Sequence, residues 1–154
     1  MKPRMRVKMG GLDPMRCAAR VFRIRPDQSK PHVVEVRIAR TRRHMHAEVM
    51  RIEGTKESEA PNCMGMVRHY LSRADGRYVV RPGLVIARMY LNIADLRDMP
   101  GEIVSHECTH AGMAWARLRK ANLKVMPGEE VLCHAVGRMV VQINSIGYKI
   151  GIWE

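Results

Sequence analysis

Apolar residues along the chain follow two rhythms. From His32 to Arg40 they recur at every second position, Val34, Val36 and Ile38, which predicts a half-buried strand. From Glu102 onward, Val104, Cys108, Ala111, Trp115 and Leu118 share one narrow stripe at about 100° per residue, which predicts a helix with one face on a core. Asp98 and Pro100 mark its start, and Arg117, Arg119, Lys120 and Asn122 mark its end. After a short link from Ala121 to Met126, Pro127-Gly128-Glu129-Glu130 opens a second apolar-rich helix. That helix is expected to run to about Ser145 and stop at Gly147.

The remaining pattern is shorter in range. Ala18 to Arg25 suits a short strand or a helix start, broken by Pro26-Asp27, and Arg42 to Ile52 also fits a helical stripe through Met45, Val49 and Ile52. A polar loop over Glu53 to Asn62 precedes a strand within Met64 to Leu71. Asp75-Gly76 then predicts a tight turn into Arg77 to Arg81, and Pro82-Gly83 a second turn into Leu84 to Leu91, continuing an antiparallel pattern. Leu84 to Leu91 reads either as an edge strand able to hold an extended peptide or as an ordinary inner strand. These elements together describe an α+β domain.

At 154 residues, 46% hydrophobic and 27% charged, the chain has the size and composition of one globular domain, taken as 1–154 with a basic arm over about 1–16. No apolar run approaches the roughly 20 residues of a membrane span, and the basic start lacks a signal-type apolar region, so a cytoplasmic protein is expected. Cys17, Cys63, Cys108 and Cys133 form no C-x-x-C pair and read as reduced packing residues. The net charge of +12 is uneven: residues 1–53 hold 14 Lys and Arg against 5 acids, and the rest 13 against 10. A basic N-terminal third of this kind suits either a nucleic acid or acidic partner or a solubilising surface.

Chemistry concentrates in the first helix. His106, Glu107 and His110 form H-E-x-x-H, and on a helix imidazoles four residues apart project one turn apart from the same side, where they can grip one ion. Glu107 beside them is placed to act as a general base. A third ligand is available from the second helix, where Glu129 lies nineteen and Glu130 twenty residues after His110. His44 and His46 read as solvated surface, and the thirteen Met as adaptable core filling.

Through His106-Glu107-Cys108-Thr109-His110 and Glu130-Val-Leu-Cys-His-Ala-Val-Gly137, the chain resembles the gluzincin, or thermolysin-like, metallopeptidases. It also looks like the compact ImmA/IrrE-like and phage-encoded metallopeptidases, over about residues 84–145. The second motif of the family is a ligand Glu, an Asp four residues on and often a Gly seven on, which favours Glu130 over Glu129. His134 stands where the Asp would be. The resemblance implies a zincin-like fold with a mainly antiparallel sheet and two active-site helices. It further implies Zn2+ on His106, His110 and Glu130, Glu107 as base, and hydrolysis of an intracellular protein or peptide substrate. Tyr90 and Tyr148 are the nearest candidates for an oxyanion donor, but each reads more readily as a packed aromatic and neither is counted as catalytic. The competing expectation is a non-catalytic basic binding or inhibitor protein on the same scaffold.

Overall fold

The computed structural model describes residues 19–55, 63–80 and 83–154 and is mixed α+β. Its element order is β1 (Arg20–Ile24), β2 (Val33–Ala39), α1 (Arg42–Glu53), β3 (Met66–His69), β4 (Leu71–Ala74), β5 (Arg77–Val80), β6 (Val85–Asn92), α2 (Ile93–Asp98), α3 (Pro100–Leu118) and α4 (Met126–Lys149). The N-terminal arm, most of the polar loop and the Arg81-Pro82 dipeptide lie outside the described residues.

The main sheet has the order β1-β2-β6-β3, and β4 with β5 forms a separate hairpin. Pairing is antiparallel for β1 with β2 and for β3 with β6, and parallel for β2 with β6. The sheet is therefore mainly antiparallel, although the expected antiparallel continuation from β5 into β6 does not occur. β6 is an inner strand, which decides between the two readings of Leu84 to Leu91. The edge beside α3 is β3.

Strand β2 is buried on both faces. Val34, Val36 and Ile38 face α3 and α4, while Glu35 and Ala39 are covered on the α1 side. The period of two is real, but α1 closes the face that was expected to meet solvent. Buried Glu35 and Glu48 survive there because arginines surround them. Arg37 bonds both, Arg88 bonds Glu35 and Arg51 bonds Glu48, at 2.6–3.1 Å. Tyr70 and Tyr90 donate to Glu53 on the same layer.

Thr41 starts α1 by accepting from the His44 backbone N–H, so the ambiguous segment is a helix. Asp75 and Gly76 at φ 50° and 72° make the expected hairpin turn, with both centres in the left-handed region. Gly147 does not end α4. It lies buried within the helix because the Trp153 ring rests on it, where a methyl would come within 1.9 Å of that ring. The reversal comes at Gly151, φ 73°, with the Ile152 N–H returning to the Gly147 carbonyl at 2.8 Å. The cysteine expectation needs correction too: Cys108 is fully buried, but Cys63 and Cys133 are exposed.

At the end of β6, the fully buried Asn92 caps α2, accepting from the Asp95 N–H at 2.9 Å and donating to the Asp95 carboxylate at 2.7 Å and to the Met64 carbonyl at 3.0 Å. Arg42 grips the same carboxylate in a fork at 2.8 and 2.7 Å, tying α1 to α2. Those Arg42 bonds hold the Asp95 carboxyl below its ordinary value, aided by Asn92 and opposed by burial. A depressed carboxyl pKa adds stability above the ordinary value and loses it as pH falls through the folded one. Asp95→Asn should therefore cost about 1 kcal/mol at pH 7, the partly exposed guanidinium limiting the loss, and less at pH 3. Urea unfolding at the two pH values checks this.

Candidate metal centre

The H-E-x-x-H segment is helical as expected. Pro100 occupies the first turn of α3, and Val104, Cys108, Ala111 and Trp115 are buried in the core. This anchoring turns His106 and His110 outward, where both are exposed. Their Nε2 atoms face each other at 3.1 Å, one ring donating to the other, with the ring planes at 75°.

That spacing suits a shared ion. Two imidazole nitrogens on tetrahedral zinc at ~2.05 Å lie about 3.3 Å apart, close to the spacing here. Glu107, one residue on, points elsewhere. Only 5% exposed, it lines a cleft of about 330 Å³ with Cys63, Met64, Gly65, Glu102, Ile103 and His106. Among the described residues its carboxylate has no hydrogen bond or ion pair. Burial pushes its pKa upward, with the adjacent His106 opposing.

Glu130 is elsewhere. It is exposed on α4, its carboxylate 3.1 Å from His134 Nε2 one turn along its own helix. The helix register explains the separation. α4 folds back against α3, and a methyl on Gly112 would meet Leu132 and Val136 at 2.9 and 2.8 Å, so Gly112 lies level with about residue 134. Glu130 is four residues beyond that level in one direction and His110 two in the other, roughly 9 Å along the axis. Glu129 is exposed one residue further from the level of the histidines. Among the described residues, no group of three His, Cys, Asp or Glu side chains converges as a metal set. The structure thus brings His106 and His110 together, turns Glu107 into the adjoining cleft, and leaves Glu130 and His134 on the neighbouring helix.

Neither oxyanion candidate reaches the centre. Tyr90 is fully buried on the α1 side of the sheet, bonded to Glu53, and Tyr148 is exposed near the end of α4 beside Trp153. His44 and His46 are not simply solvated: both are half-buried, and His46 Nε2 meets the Cys63 carbonyl at 3.1 Å. Burial pushes the Cys108 thiol up to about 12, the state of a packing residue.

Two neighbours escaped sequence reasoning. His69, at the end of β3, donates from Nε2 to the His110 carbonyl at 2.9 Å and faces Arg117 through Nδ1 at 3.4 Å. The carbonyl can only accept and Arg117 only donate, so His69 is neutral with its proton on Nε2. Consistently, burial holds its pKa below the ordinary value, with the Arg117 charge adding and the His110 bond opposing. Gly65 is the other neighbour: a Cβ there would lie 2.7–2.9 Å from the Glu107 side chain. A histidine 41 residues before its partner carries no local spacing signal, and a glycine before a strand reads as an ordinary loop residue.

No family model, curated protein or solved structure matches this chain. No helix among the described residues is long and apolar enough to cross a membrane.

Gly65→Ala tests the packing of Glu107. The added methyl must drive the buried carboxylate from its position, with a cost of about 1–3 kcal/mol if the backbone yields instead. A crystal structure of the variant should show Glu107 shifted and β3 still paired with β6.

Proposed function

We propose that this chain is a small zinc-dependent peptide hydrolase of zincin-like type. The observation that carries the reading is the pair of facing Nε2 atoms, at the bite of one ion, next to a buried carboxylate left without a partner. His106 and His110 hold the metal, and zinc when bound supplies Lewis-acid polarisation of water and of the scissile carbonyl. Glu107 takes the proton of the attacking water and returns it to the leaving amine, work for which a carboxyl with a raised pKa is suited. The β3 edge, tied to α3 by His69, offers backbone groups to an extended peptide.

Glu130 is the third donor that the resemblance nominates. It joins the imidazoles only if α4 presents it differently from its place beside His134, so its contribution is measured separately.

Elemental analysis of the purified protein should find about one zinc per chain, lost in His106→Ala and in His110→Ala. Glu107→Gln should keep the metal and slow peptide cleavage by about 100-fold or more. Loss of zinc in Glu130→Gln would identify the third ligand. Cleavage unchanged by Glu107→Gln removes the mechanism, and chelator-insensitive, salt-dependent nucleic-acid binding would favour a basic binding protein instead.

A further inference from the structure

The cleft beside the histidine pair has a chemistry unlike the rest of the molecule. The chain carries 27 Lys and Arg against 15 Asp and Glu, and among the described residues the other buried carboxylates are served by arginines. Glu35 takes bonds from Arg37 and Arg88, and Glu48 from Arg37 and Arg51. The cleft breaks this pattern. Among the described residues, neither of the two carboxylates that line it, the exposed Glu102 and the buried Glu107, has an ion pair or hydrogen bond. Glu107 is more than nine-tenths buried, and its carboxylate, without a protein partner among the described residues, is satisfied only by water or a ligand entering the cleft.

The walls narrow the class of visitor. Met64 on the segment leading into β3 and Ile103 on α3 are apolar, and Glu102 stands one helical turn before His106 on the same side of α3. A side chain with a hydrocarbon stem to lie against Met64 and a positive end to meet the exposed Glu102 suits this lining. The Glu102 carboxylate also favours the α3 N-terminus, but that role needs neither the cleft nor its second unpaired acid.

We propose that this cleft binds a basic side chain, Lys or Arg, of an extended peptide, and that Glu102 is the residue that selects it. The proposal builds on the hydrolase reading by naming the substrate class of the same site. Glu107 keeps its role towards water, and Glu102 reads the side chain. In a protein of net charge +12 the long-range field repels cationic peptides, so recognition depends on this local acidic patch.

The test is equilibrium binding, independent of turnover. Fluorescence polarisation compares two labelled peptides, identical except for Lys or norleucine at one position, on the intact chain carrying Glu107→Gln. The Lys peptide should bind about fivefold more tightly. Adding Glu102→Gln should bring the two affinities together, and Glu102→Arg should reverse the preference. Equal affinities without a Glu102 substitution, no binding of either peptide, or a preference surviving Glu102→Gln would each overturn the proposal. A Lys preference in a protein that holds no zinc and cuts nothing would uphold the cleft while removing the hydrolase reading. Cleavage without that preference would do the reverse.

Discussion

The buried amide of Asn92 is the constraint on which the site depends. At full burial its donors and acceptor must be satisfied, and they are satisfied by three bonds to two separate parts of the chain. Its oxygen starts α2, its nitrogen reaches Asp95, and the same nitrogen fixes the Met64 carbonyl. Met64 precedes Gly65, which rests against Glu107. One side chain at the end of an inner strand thus sets both the start of the helical half and the wall facing the buried carboxylate.

Burial on the two sides of the sheet is achieved by different means. The α3 and α4 side is an aliphatic core to which Trp115 adds aromatic volume. The α1 side is small in apolar content, holding Ala39, Met45, Val49 and Tyr90, and is completed by interlocked Glu and Arg side chains. Paired charges of this kind add little net stability, since desolvation consumes most of the Coulomb gain, but they penalise any packing that leaves one partner alone. The arrangement fixes the seat of α1 more than it strengthens it.

Much of this fold was legible because its signals are local. The stripe from Val104 to Leu118 and the alternation in β2 each follow from one element's own periodicity, and the Asp75-Gly76 turn from backbone chemistry at two residues. What failed depends on other elements. The burial of Glu35 comes from α1, the parallel pairing of β6 with β2 in place of an antiparallel continuation from β5 comes from the distant strand β2, and the interior place of Gly147 from a tryptophan six residues later. The candidate site divides along the same line. Two imidazoles at i and i+4 are fixed by one helix, whereas the height of Glu130 depends on where α4 slides along α3, which Gly112 decides through Leu132 and Val136. The bond from His69 to the His110 carbonyl spans two elements and left no trace in spacing.

The two tryptophans occupy unlike surroundings. Trp115 is buried in the core beside His32, ring centres 5.7 Å apart, while Trp153 rests half-buried on Gly147 with its indole N–H on the Leu96 carbonyl at 3.2 Å. The chain therefore carries two intrinsic optical reporters. A red shift from the second alone marks the tail lifting off α2, and a shift from both marks global unfolding.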